Sequence, residues 1–259
     1  MNQIASRSKA GFSHAWNALR PAPTRFHTPP AVWTSQETWL SVGTVVLSIP
    51  MVFLIDEAIH LLAAETPAGQ VALYGFLTHA GLSEWTLVPS GVLVLGVVIL
   101  LAIGRAPWPN AIFQARHAAF IFFTGASAGI VCNVFKNIIG RARPYLYDQY
   151  GAIAFDPLSF GSSWWQSWPS GHTTTVAAFC TWVAFQFPAT RWIMVAVAVL
   201  LGLTRVFVGA HYVSDVLAGL TLGYVFTLVC ARWCSNRAIL FRRDPDTNWA
   251  LLPIRSEPS

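Results

Sequence analysis

The stretch RWIMVAVAVLLGLTRVFVGAHYVSD, residues 191–215, decides the fold. Between Arg191 and Arg205 it carries no charged side chain, and the apolar run 191–209 approaches the ~20 residues that a helix needs to cross a bilayer. At its far end the chemistry changes: Arg205, His211 and Asp215 follow one another closely. His211 and Asp215 are four apart, a spacing that places two residues on one helix face.

Five further runs of the same kind lie at about 39–60, 86–104, 117–139, 171–188 and 213–233. Pro50 is a candidate kink in the first, and Phe187-Pro188 reads as a tight turn. Only 10% of the 259 residues are charged and 54% are hydrophobic, whereas a soluble domain carries about 25% charged residues. Too little polar surface remains to face water. The expectation is an all-α, six-helix transmembrane bundle over residues 38–235, with its active site at the outer membrane–water interface. A basic N-terminal tail, 1–37, and a C-terminal tail, 236–259, flank it. The four cysteines, Cys132, Cys180, Cys230 and Cys234, lie in or at the end of apolar runs and read as reduced packing residues.

The net charge is +5, and its cations sit in short clusters beside the apolar runs. That is the pattern by which membrane proteins fix their orientation, and it carries no sign of a nucleic-acid surface. Arg7, Lys9, Arg20 and Arg25 hold the N-terminus in the cytoplasm, and six crossings return the C-terminus there with Arg232, Arg237, Arg242 and Arg243. The third connection, about 140–170, then faces outward, yet it contains Arg141 and Arg143 just after Lys136. Anion binding explains cations on that side.

Three stretches hold the polar chemistry. Lys136 and Arg143 are seven apart, and Pro144 biases Arg143 away from helix. They read either as a point charge and a planar fork that grip a phosphate, or as snorkelling helix-end anchors. For Arg141 the anchor is the preferred reading. Pro169-Ser170-Gly171-His172 suits a helix start, with Ser170 as cap, Gly171 allowing close backbone approach and free N–H groups facing an anion. His172 there is a proton donor or an ordinary surface histidine. In the third stretch Asp215 can fix the tautomer of His211 and make its other nitrogen a nucleophile, beside Arg205. The alternative is a capped helix with a bridging pair. A zinc site from these groups is disfavoured, because three neighbouring cations repel a metal ion. Asp56, Glu57 and His60 either line the site or sit at the interface, and His79 and His117 read as structural. The crowd of aromatics from Tyr145 to Trp168 is an interfacial belt or a lip for lipid chains.

Taken in order, the three stretches resemble the type 2 phosphatidic acid phosphatase family. Its pattern is a Lys, six residues and Arg-Pro; then Pro-Ser-Gly-His; then Ser-Arg, five residues, His, three residues, Asp. This chain offers Lys136 to Arg143-Pro144, then Pro169-Ser170-Gly171-His172, then Thr204-Arg205 to His211 and Asp215, with Thr204 in place of the serine. The resemblance implies that His211 attacks phosphorus, Asp215 orients it, and His172 protonates the leaving oxygen and later activates water. Lys136, Arg143, Ser170, Gly171 and Arg205 would hold the phosphoryl oxygens, with no metal and no cofactor. It further implies a phosphorylated lipid as substrate: phosphatidic acid, phosphatidylglycerophosphate, an isoprenyl diphosphate or lipid A 1-phosphate. The expected place is a bacterial inner membrane with the site facing the periplasm. A lipid or ion transporter, or a phosphotransferase of the same fold, is the alternative.

Overall fold

The computed structural model describes residues 31–105, 107–108, 110–237, 239–243 and 251–253. Arg7, Lys9, Arg20 and Arg25 of the expected N-terminal tail lie outside them. Eight helices longer than four residues order the described chain: α1 (Ser35–Leu54), α2 (Asp56–Ala64), α3 (Ala68–His79), α4 (Glu84–Ala102), α5 (Ala111–Ile139), α6 (Gly171–Gln186), α7 (Arg191–Phe207) and α8 (Val213–Asn236). A short antiparallel pair follows, β1 (Phe241–Arg243) with β2 (Leu251–Pro253), in which Arg242 faces Leu252.

The apolar runs correspond to these helices, with two corrections. The first run is two helices. Pro50 is accommodated within α1, and the chain departs from regular helix at Ile55 (φ −118°, ψ −42°), after which α2 begins with Asp56. The fourth run forms α6, which has 16 residues and reaches about 24 Å at the α-helical rise. Among the described residues five segments, against the six runs expected, are long and apolar enough to cross a membrane: Ser35–Leu54, Ala68–Ala102, Ala111–Ile139, Pro188–Phe207 and Val213–Asn236. Their outward side chains are apolar and exposed, as with Trp39, Leu54, Val92, Trp192 and Leu200, which suits hydrocarbon as solvent.

The described residues divide into two compact units, one drawn from 31–32, 86–123 and 229–253 and the other from 33–85 and 124–228. In the first, Val97 and Leu101 bury against Ala111 and Ala115, and Phe120 meets Phe241 edge-on at 5.3 Å. In the second, α6 is the buried element. Thr173, Thr174, Val176, Ala177, Ala178 and Cys180 are all enclosed. Glycines make this possible. A Cβ at Gly219 would stand 2.6 Å from the Ser170 carbonyl oxygen, and one at Gly223 would collide with the Thr174 carbonyl, so this face of α8 admits the α6 backbone itself. Gly202 of α7 makes the same allowance for Thr173 and Val216. Close seating on α8 fixes where α6 begins, and its first turn carries part of the site.

Candidate active site

All the residues singled out in the three stretches fall in the second unit, at helix ends that converge. Lys136 lies in the last turn of α5 and Arg205 in that of α7, while Gly171-His172 opens α6 and Asp215 sits in the first turn of α8. Gly140 ends α5 at φ +60°, where a Cβ would strike the Asp156 carbonyl. The chain then runs extended through Arg141 to Arg143, and Arg143, at φ −80° and ψ 159°, adopts the extended backbone that Pro144 demands. Ala142 N–H donates to the Ala154 carbonyl at 2.9 Å, Arg143 N–H to Trp164 at 2.9 Å, and Ser167 N–H to Arg141 at 3.0 Å. The connection is thus knitted on both sides, which gives its arginines fixed positions.

His211 occupies the turn before α8 rather than a helix face shared with Asp215. The two still meet because Asp215 reaches back: its Oδ2 accepts from Tyr212 N–H at 2.8 Å and lies 3.5 Å from His211 Nδ1. That contact is long, as in many unliganded active sites. It nevertheless assigns the ring's hydrogen to Nδ1 and leaves Nε2 with its lone pair. Burial pushes the His211 imidazole down to about 3, Asp215 opposes this, and Lys136 and Arg143 push the same way as burial. His211 is therefore a neutral imidazole at physiological pH, the form a nucleophile requires.

Asp215 is fully buried and completely engaged. Oδ1 accepts from Arg141 Nη1 at 2.7 Å, and Oδ2 accepts from Ser167 Oγ at 2.6 Å. Arg141 is not a snorkelling anchor. It has no exposure, donates from Nη2 to Asp56 Oδ2 at 2.9 Å and to the Ala152 carbonyl at 3.1 Å, and stacks 4.3 Å above the Tyr212 ring. Asp56, also buried, accepts from Ser214 N–H at 3.0 Å and from Ser214 Oγ at 2.5 Å. One guanidinium thus joins two buried carboxylates behind His211. Of the neighbours left open by sequence, Glu57 accepts from Tyr147 OH at 2.7 Å, and His60 lies against the Tyr147 and Tyr212 rings.

The cations stand on the other side of His211. Lys136, Arg143 and Arg205 are within electrostatic reach of one another, and Lys136 and Arg143 are within reach of His211. Lys136 Nζ donates to the Gln166 carbonyl at 2.5 Å. Arg143 Nε and Arg205 Nε are buried donors without a partner among the described residues. Two unsatisfied guanidinium donors are costly unless an acceptor arrives, and phosphate oxygens match their geometry. Ser170 caps α6, its Oγ accepting from Thr173 Oγ1 at 2.9 Å and from Thr173 N–H at 3.4 Å. The helix start leaves the Gly171 and His172 amides without intrahelical partners. Gly171 faces Lys136 Cε, 3.6 Å from where a Cβ would be. No group of His, Cys, Asp and Glu suited to a metal ion occurs among the described residues.

The chain is similar to known proteins. The PAP2 superfamily model matches residues 117–239, which contain all three motif stretches. A protein named lipid A 1-phosphatase from Rhizobium johnstonii is 37% identical over 86% of this chain and 89% of its own length. Its namesake from Rhizobium etli is 36% identical over 86% of this chain and 94% of its own length. Among solved structures, the transmembrane PAP2 type phosphatidylglycerolphosphate phosphatase from Bacillus subtilis superposes with a TM-score of 0.54 at 23% identity. It covers 77% of this chain and 96% of that one, a likeness of fold.

Proposed function

Because the chain belongs to the PAP2 superfamily, we propose that it is an integral membrane lipid phosphatase that removes the 1-phosphate of a lipid A-type glycolipid. The observation that carries the reaction is the placement of a buried, neutral His211, backed by Asp215, beside Lys136, Arg143 and Arg205. The substrate class rests on the 37% identity to a lipid A 1-phosphatase across most of both chains.

The reaction runs in two displacements. The Nε2 lone pair of His211 forms a bond to phosphorus while the bond from phosphorus to the sugar oxygen breaks. That bond's electron pair stays on the departing oxygen, which takes a proton from His172. The negative charge on Asp215 stabilises the imidazolium that results. In the second step His172 takes a proton from water, the hydroxide oxygen bonds to phosphorus, and the P–N pair returns to His211. The three cations and the α6 amides neutralise the equatorial oxygens throughout, which is most of what phosphoryl transfer asks of a protein.

The first experiment is phosphate release by the purified full-length chain from lipid A, phosphatidic acid, phosphatidylglycerophosphate and an isoprenyl diphosphate, each with EDTA. The highest kcat/KM is expected on lipid A, unaffected by chelator. Equal or faster turnover of phosphatidylglycerophosphate would move the substrate assignment. Loss of activity in EDTA with recovery on adding zinc would end the metal-free mechanism. The proposed orientation has both termini in the cytoplasm and the site on the periplasmic face, and rests on the Lys and Arg distribution. A reporter fused at the C-terminus is expected to be active only as a cytoplasmic one; a periplasmic signal refutes it.

A further inference from the structure

Outside the three stretches, one side chain touches two groups of the site. Thr78, in the last turn of α3, is buried at 6% exposure. Arg205 Nη1 donates to its hydroxyl at 3.2 Å, and His172 Nε2 lies 3.3 Å from the same oxygen. A guanidinium has only donors, so Thr78 accepts from Arg205 and retains one lone pair and one hydrogen.

The direction of the second bond follows from chemistry. Burial, and then the Arg205 cation, push the free His172 imidazole down to about 4. To protonate a leaving oxygen it must therefore take up a proton together with the phosphate substrate, becoming an imidazolium with hydrogens on both nitrogens. Its Nε2 must then donate, and the remaining lone pair of Thr78 must accept. Once Nδ1 has given its proton away, Nε2 keeps its own hydrogen on Thr78. Nδ1 is left with the lone pair that takes a proton from water in the second step. Held this way, the ring uses one nitrogen for both transfers without turning over.

The same edge of the ring is bounded by the turn after α3. A Cβ at Gly81 would fall on His172 Nε2, with Cε1 at 2.8 Å and Val176 Cγ2 at 2.5 Å. Only glycine lets the imidazole occupy that position.

We propose that Thr78 is the positioning residue of the acid–base histidine: its hydroxyl accepts from Nε2 of His172 and from Arg205, and so turns Nδ1 toward the leaving oxygen. The glycine at 81 leaves room for the ring to stay there. This rests on the reading of His172 as acid and base, and the test separates the two ideas.

Thr78→Val removes the hydroxyl and keeps the shape, and Thr78→Ser restores it. Each is assayed as kcat/KM, which reports the first displacement, on a lipid phosphate with an alkoxide leaving group and on p-nitrophenyl phosphate, whose phenolate leaves without a proton. Vanadate inhibition within about threefold of the parent's shows an intact anion site. For Thr78→Val, kcat/KM on the lipid phosphate is expected to fall by about 10- to 100-fold through kcat, with p-nitrophenyl phosphate changed less than about threefold. Thr78→Ser should recover most of the loss. Gly81→Ala, whose methyl would take the place of Nε2 and displace the ring from Thr78, should show the same selective loss if Thr78→Val fails to bind vanadate. His172→Ala run in parallel should show the selectivity in stronger form. If His172→Ala slows both substrates alike, the acid role of His172 fails. If it is selective while Thr78→Val and Gly81→Ala are not, or serine does not rescue, the role of Thr78 is overturned.

Discussion

Replacing Arg141 by methionine is expected to destabilise the protein by about 3–5 kcal/mol and to remove most of its activity. The guanidinium is fully buried between Asp56 and Asp215 at 2.9 and 2.7 Å. Methionine fills similar volume but leaves two carboxylates in the interior with no cation between them. Their repulsion would move Asp215, and with it the carboxylate that faces His211 Nδ1. Asp56→Asn tests the same linkage more gently. It removes one charge and keeps a side chain of the same shape beside Ser214, so about 1–3 kcal/mol is expected. In the double variant the neutral amide in place of the Asp56 carboxylate relieves the repulsion, so the two losses should not add. Thermal or denaturant midpoints in detergent for the three variants check this. Additive losses would show that the two carboxylates do not communicate through Arg141.

His211→Ala is expected to lower turnover by at least about 10³-fold, since it deletes the atom proposed to bond phosphorus. Lys136, Arg143 and Arg205 are untouched, so vanadate should still bind. The decisive readout is covalent. Brief reaction with lipid phosphate labelled on phosphorus should leave acid-labile label on the parent and none on the variant. Added imidazole should restore part of the turnover by entering the space left beside Asp215. Full label retention on His211→Ala would place the nucleophile elsewhere.

The sequence announces much of this site because the relevant signals are local. Pro144 sets the backbone of Arg143, Gly140 ends α5, and Ser170 caps α6, each within a few residues of the group it controls. Arg141 reads differently in sequence and in structure for a physical reason. Its two partners are 85 and 74 residues away, and from sequence alone a cation at a helix end has water as its default companion. Two oddities together are the available clue: a cation on the outward connection, and Asp56 stranded late in an apolar run. The length of α6 is hidden by its composition. Thr173, Thr174 and Thr175 extend the run without needing lipid, because Gly219 and Gly223 let α8 cover them. Thr78 carries no motif at all. A threonine at the end of an apolar helix is ordinary until α3 is seen to reach His172.

The trio of Asp56, Arg141 and Asp215 has a consequence for electroneutrality. With one cation between two anions it keeps a single net negative charge, set against the three positive charges of Lys136, Arg143 and Arg205. The surplus is two, and a phosphate monoester brings about two negative charges at neutral pH. With the proton that His172 carries for the first displacement the surplus is three, so a monoester dianion leaves one positive charge and a phosphodiester, with one negative charge, leaves two, in surroundings that tolerate unbalanced charge poorly. Inorganic phosphate matches the same balance, so the charge pattern that favours the substrate also favours retention of the product.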